Sequence, residues 1–240
     1  MTVVDGPSIS LSDIQSAPAW ERLALSGLSG TLMVIGAPDT GKSTFARYLY
    51  LRLCAFHERV AFVDGDIGQA SLGPPTTMTL VVGGGDGEEF PPPGPRYRYF
   101  VGDCSPRGHL LSTVIGVCKL VRRARELGAT ATVVDTTGLI DRVQAGGVLK
   151  QAKVDLLEPT AVFAIQRASE LEYLLVPLRR SARARVVDLP VAPAVRSRDV
   201  AARRAHRAAM FRRYFASAGH LEVEWGRLAV FPAPTFLISS

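Results

Sequence analysis

Short apolar runs alternate along the chain with longer stretches whose apolar residues fall three or four apart. That alternation predicts strands and helices in turn. Leu32 to Ile35 is a β-prone run, and Phe45, Leu49 and Leu53 then mark one face of a helix that ends near Phe56 or His57. Val60 to Val63 is a short buried strand by composition, and Tyr97 to Val101 is another. Ser105-Pro106 reads as a helix start, with Pro at the first position, and Gly128 as its stop after Leu127. Ala129 to Val134 is a strand, 141–156 a helix and Thr160 to Ile165 a strand. Ser169 to Leu178 is amphipathic, Val186-Val187 is a short strand, and Asp199 to Phe215 is a helix. Two flanking pieces are less regular. Trp20 to Leu28 predicts a helix that ends at Gly30, and the tail, Leu221 to Trp225 then Leu228 to Phe231, predicts a closing hairpin. The Gly- and Pro-rich stretch 83–96 predicts a loop.

Strand, helix and strand in close succession are the signature of a parallel sheet with crossover helices. The expected class is therefore α/β, a three-layer sandwich with a mainly parallel central sheet. A chain of 240 residues suits one such domain: a lead-in at 1–30, a core at 31–178, an Arg-rich segment at about 179–216 and the hairpin at 217–240.

The first strand runs directly into Gly36-Ala37-Pro38-Asp39-Thr40-Gly41-Lys42-Ser43-Thr44. This is the strand, glycine loop and helix of a nucleoside-triphosphate P-loop. Gly36 and Gly41 let successive backbone N–H groups turn toward an anion, and the helix start adds unpaired N–H groups. Lys42 is placed to reach the β- and γ-phosphates, and Ser43 to hold Mg²⁺. Two acidic strand ends follow, Asp64-Gly-Asp66-Ile-Gly-Gln69 and Asp135-Thr-Thr-Gly138. Carboxylates at such ends face the crevice where the P-loop holds phosphates. His109 stands near a helix start, where a lone histidine is more often structural or exposed than catalytic.

Composition narrows the setting. Hydrophobic content of 47% and charged content of 21% fit a globular chain. No apolar run approaches the ~20 residues that cross a bilayer, and Met1 to Pro7 has no basic segment ahead of an apolar core. The three cysteines, Cys54, Cys104 and Cys118, form no paired motif. A cytoplasmic protein with reduced thiols is expected. Net charge is +6, and eleven arginines crowd between Arg179 and Arg213 against two acidic residues, Asp188 and Asp199. Such a segment suits a polyanion, although composition alone favours a solvated helix face.

Asp135-Thr-Thr-Gly138 also fits the D-x-x-G of GTPases. Ala152-Lys153-Val154-Asp155 lacks the asparagine that reads guanine, and the chain contains no asparagine. Lys153 reads instead as a coincidence on a helix.

The P-loop followed by Asp64-Gly-Asp-Ile-Gly-Gln69 resembles the polynucleotide 5′-hydroxyl kinase family. That family includes the RNA kinase of the pre-mRNA cleavage complex, its ribosomal-RNA-processing relatives and smaller prokaryotic members. Phe100-Val-Gly, Pro159-Thr160 and Arg196-Ser-Arg-Asp199 leading to Arg212-Arg-Tyr-Phe215 agree, so the resemblance spans roughly residues 20–216. It implies transfer of the γ-phosphate of ATP, with Mg²⁺, to the 5′-OH end of RNA or DNA. It implies Asp66 as general base, Asp64 with Ser43 at the metal, and Gln69, Thr137 and Gly138 at the acceptor. The arginines would become a helical lid, with Lys42, Arg198, Arg203 and Arg207 acting on the transferred group. Arg196 also fits the lid spacing. Leu139 stands where the family has a tryptophan that stacks on a base. The alternatives are a P-loop kinase of a nucleoside or other small alcohol, and a nucleotide-switch ATPase or GTPase with no hydroxyl acceptor.

Overall fold

The computed structural model describes residues 8–85, 89–224 and 226. Its strands are β1 (Ile9–Ser10), β2 (Gly30–Gly36), β3 (Val60–Gly65), β4 (Thr77–Gly83), β5 (Glu89–Phe90), β6 (Tyr97–Phe100), β7 (Ala131–Thr136), β8 (Ala161–Gln166) and β9 (Arg185–Pro190). The helices are α1 (Pro18–Glu21), α2 (Lys42–Cys54), α3 (Leu110–Glu126), α4 (Gly146–Leu157), α5 (Glu172–Ser181) and α6 (Val200–Tyr214). Seven strands make the central sheet in the order β6-β4-β3-β7-β2-β8-β9, and β1 pairs with β5 in a separate ribbon.

The five strands from β3 to β9 in that order are parallel, while β4 and β6 close one side through antiparallel pairings. Alternate residues of β2 go to opposite layers. Leu32 and Val34 pack with Phe45, Leu49, Phe62 and Phe163 on the α2 side. Met33 and Ile35 pack with Val154, Leu171 and Leu175 on the other. Ala61, Val63 and Val134 meet Val117 and Leu120 of α3 there as well. The three-layer α/β sandwich expected from the pattern is thus the observed one. Among the described residues, no helix is long and apolar enough to cross a membrane.

Register positions the site. Residues of β7 lie between β2 and β3, with Asp135 opposite Val34 on one side and Asp64 on the other. The loops that leave β2, β3 and β7 therefore emerge side by side at one edge of the sheet, where ligands bind in open α/β folds.

Several element boundaries differ from the sequence pattern. β4 was unexpected, although Thr77, Met78, Thr79 and Leu80 alternate as a strand should. The lead-in helix covers Pro18–Glu21 and not Trp20 to Leu28, because a turn follows in which Leu28 N–H donates to Leu25 O. α3 begins at Leu110 and not at Ser105, since Asp103 and Ser105 side chains accept from the backbone of a turn and Gly108 takes φ +75°. α4 begins at Gly146, because Asp141 caps a turn and Ala145 is left-handed at φ +58°. The Arg-rich segment at 179–216 divides: Arg185–Pro190 is the edge strand of the sheet, and Val200–Tyr214 is the lid helix. The expected hairpin falls largely outside the described residues, and 218–224 carry no strand.

Trp20 anchors the lead-in to the core. It is 1% exposed, with its ring edge-on to Phe45 at 5.2 Å between centroids. Trp20→Ala is expected to cost about 3–5 kcal/mol, read as a lower denaturation midpoint with an unchanged slope.

Candidate active site

The P-loop is fixed from inside and from outside. Inside, the Thr40 hydroxyl and the Lys42 ammonium both donate to Ala37 O, each at 3.0 Å. Gly41 takes φ +82°, and a Cβ on Gly36 would stand 2.7 Å from Ile165 O. Outside, the Arg167 guanidinium donates to the carbonyls of Pro38 and Asp39. Gly36 to Thr44 thus form a bent, N–H-lined turn at the start of α2, with Lys42 curled over it.

Asp64 and Asp66 do different work. Asp64 is 2% exposed. One of its oxygens accepts from Ser71 N–H at 2.6 Å, Ser71 Oγ at 2.9 Å and Leu72 N–H at 3.0 Å, and the other from Asp66 N–H at 3.3 Å. Burial pushes its pKa up, against the pull of those donors. The carboxylate is spent on folding the 66–72 loop, and it does not line the cavity. Asp66 does line the cavity. One of its oxygens accepts from Gly68 N–H at 3.0 Å and Gln69 N–H at 3.1 Å, which orients the group and leaves the second oxygen for other partners. The Gln69 amide donates to Gly68 O at 2.8 Å, and its own oxygen is buried without a partner.

Asp135 is the acidic residue that the sequence pattern undervalued. It is 1% exposed, and its Oδ1 has no hydrogen-bond partner. Burial raises its pKa to about 6, Lys42 pulls it down, Asp64 pushes it up, and the Ser43 hydroxyl bonds to it and lowers it. An unsatisfied buried carboxylate beside Ser43 fits Mg²⁺, which takes one or two protein oxygens and keeps its remaining waters. Position was the available signal: Asp135 ends the strand lodged between β2 and β3.

Two buried lysines of α4 had no role in the sequence pattern, which passed over Lys150 and read Lys153 as a coincidence. Lys150 donates to Thr136 Oγ1 at 2.8 Å and to Thr137 O, and Thr136 Oγ1 donates to Val34 O at 2.7 Å. Lys153, on the same face of α4, is fully buried with no partner for its ammonium. Burial lowers its pKa to about 8 against the attraction of Asp66 and Asp135, and burial pulls that of Lys150 well below the ordinary range. Lys153 does lie on a helix, as expected, but it belongs to the charge balance of the site.

One cavity of about 1030 Å³ unites these parts with the lid. Lys42, Ser43, Asp66, Gln69, Thr137 and Gly138 line it, and so do Arg198, Arg203 and Arg207. Gly138 lies against the P-loop, where a Cβ would come 2.9 Å from Pro38 N. Leu139 lines the cavity beside it. Asp199 caps α6 by accepting from Ala202 N–H at 2.6 Å. The helix is then docked on the site: Arg203 is ion-paired with Asp39, His206 bonds Ala70 O at 3.2 Å, and the Arg98 guanidinium lies 5.7 Å from the Tyr214 ring centre.

Residues 36–217 match the family model for the P-loop domain of the mRNA cleavage and polyadenylation factor CLP1. The polyribonucleotide 5′-hydroxyl-kinase of Thermococcus kodakarensis is 32% identical over 200 residues, 83% of this chain and 55% of that protein. The one from Methanocaldococcus jannaschii is 32% identical over 184 residues, 77% of this chain and 50% of that protein. The chain thus spans about half the length of these curated relatives. Among solved structures, a Clp1p–Pcf11p complex superposes with a TM-score of 0.61 at 14% identity, over 82% of this chain and 51% of that one.

Replacing Asp135 separates stability from ligand binding. Its raised pKa means that the folded state disfavours the charged form, so the penalty is full above about 6 and gone below the ordinary 3.8. Asp135→Asn is expected to melt higher than the parent at pH 7. The difference should shrink as pH falls toward 4, as followed by thermal denaturation without nucleotide or metal.

Proposed function

Because the chain belongs to the CLP1 P-loop family, we propose that it is an ATP-dependent kinase of polynucleotide 5′-hydroxyl ends. One observation carries the reading. A carboxylate with a free oxygen, Asp66, shares a cavity with the P-loop lysine and with lid arginines. The two kinases named above support the choice of acceptor. A volume of about 1030 Å³ is at the upper end for a single small-molecule site and suits a donor and an acceptor held together.

The residues divide the work as follows. Backbone N–H groups from Gly36 to Thr44, with Lys42, hold the β- and γ-phosphates of ATP. Ser43 and Asp135 are the groups that would hold Mg²⁺, and Asp64 shapes the loop behind them. When bound, the ion neutralises charge on the phosphates. Asp66 accepts the proton of the 5′-hydroxyl as its oxygen bonds to the γ-phosphorus and the bond to the ADP oxygen breaks. Arg198 and Arg207 line the cavity and stabilise the charge that spreads over the transferred group. Gln69, Thr137 and Gly138 form the wall on the acceptor side, where the Thr137 hydroxyl is buried without a partner.

Leu139 favours a second reading. It offers an aliphatic surface and not an aromatic one, so grip on a terminal base is weaker than stacking would give. A kinase of a small alcohol or nucleoside has the same chemistry with a different acceptor.

One assay separates the readings. The protein is incubated with Mg²⁺, γ-labelled ATP and, in parallel, 5′-hydroxyl RNA oligonucleotides, DNA oligonucleotides and free nucleosides. Label at the oligonucleotide end is expected. Asp66→Ala should lose about 10²–10⁴-fold in rate, and Lys42→Ala should lose detectable transfer. Labelled nucleosides with no labelled oligonucleotide would select the small-alcohol kinase. ATP hydrolysis with no labelled acceptor would remove both.

A further inference from the structure

Arg203 lies on the first turn of the lid helix, where its N–H donates to Asp199 O at 3.2 Å. Arg198 and Arg207 line the cavity with no ion pair among the described residues, and Arg203 differs from them. It is paired with Oδ2 of Asp39, and the hydroxyl of Ser197, in the segment that leads into the lid, reaches the same oxygen at 3.3 Å. Asp39 belongs to the P-loop itself. Its backbone is left-handed at φ +52°, and its carbonyl is held from the other side by Arg167. A single P-loop residue thus gathers the segment before the lid helix, the helix itself and the loop after β8.

A carboxylate in a loop that binds a polyphosphate is a liability. It repels the ligand unless a cation cancels its charge. Arg203 is that cation. The pair is partly shielded, with side-chain exposures of 31% for Arg203 and 15% for Asp39, so solvent screens it less than a surface pair. The pair is made by one guanidinium nitrogen, Nη2, on Asp39 Oδ2, which draws the positive charge of Arg203 toward the P-loop carboxylate.

We propose that Arg203 is a positioning residue: it neutralises Asp39 and latches the lid to the phosphate-binding loop, leaving phosphate contact to Arg198 and Arg207. Asp39 acts through Arg203, and neither touches the reacting atoms. The proposal rests on the nucleotide-binding part of the kinase reading and not on the identity of the acceptor.

The test is a double-mutant cycle on ATP affinity, measured by calorimetry with Mg²⁺ and no acceptor. Arg203→Ala is expected to weaken ATP binding about tenfold, because it leaves the Asp39 charge beside the phosphates. In an Asp39→Asn background the same change should shift affinity less than about twofold. An equal loss in both backgrounds would make Arg203 a direct phosphate ligand and overturn the proposal. Arg203→Lys keeps the charge and should bind ATP within about threefold of the parent. A loss as large as that of the alanine variant would also count against the proposal. Trypsin digestion without nucleotide gives a second readout. Arg203→Ala should be cut faster than the parent in the 196–213 segment, and Arg207→Ala should not. Unchanged cutting of Arg203→Ala would refute the latch. Where transfer is measurable, Arg203→Ala should raise KM for ATP more than it lowers kcat, and Arg207→Ala the reverse. Absence of transfer in the parent would refute the kinase reading and leave the binding cycle intact.

Discussion

Asp64 and Asp135 face each other across adjacent strands, both buried, and the functional edge of the sheet is arranged around the problem they pose. Two carboxylates in a low-dielectric interior are unstable unless donors or cations reach them. The chain solves each case differently. Asp64 is satisfied by folding a loop over it, so Ser71 and Leu72 supply N–H groups and the loop carries Asp66 and Gln69 into the cavity. Asp135 is left partly unsatisfied, with Lys42 and Ser43 at its side and Lys153 buried nearby. One acid is consumed in building the site, and the other keeps an unsatisfied oxygen.

The opposite layer contributes more than packing. α4 buries two lysines on one face, three residues apart, where a helix covering a sheet would ordinarily place leucines. Lys150 ties the end of β7 to the strand below it through Thr136 and Thr137. The ammonium of Lys153 offsets the acids at the cost of some core hydrophobicity. Ordinary buried packing continues around them, with Leu149, Val154 and Leu157.

Much of this was legible in the sequence, and the exceptions have physical causes. The P-loop, the parallel core strands and the lid helix follow from periodicity and from a motif whose spacing is dictated by phosphate geometry. Asp66 was placed by its position at a strand end, and it lines the cavity. Asp64 was expected at the metal, and its hydrogen bonds to the 66–72 loop were not foreseen, because spacing says that two acids share a region and not which one a loop will engulf. Asp135 was placed at a strand end but given no role, and Lys153 was set aside as a coincidence, because their roles depend on strand order, and adjacency of β7 to β2 and β3 is not written locally. β4 was overlooked because its alternation lies between two proline- and glycine-rich stretches. The pairing of Arg203 with Asp39 joins residues 164 positions apart, a separation at which sequence spacing carries no information.

The close approach of Gly138 to Pro38 fixes a dimension. The loops that leave β2 and β7 rest on one another there, Gly138 lying against the backbone and ring of Pro38 with no room for a Cβ between them. Such a contact works as a mechanical stop: dispersion and steric repulsion set its length, and neither salt nor proton concentration alters it. The spacing of the two loops is thereby referenced to the hardest potential in the molecule, while the charges around them remain free to respond to their surroundings.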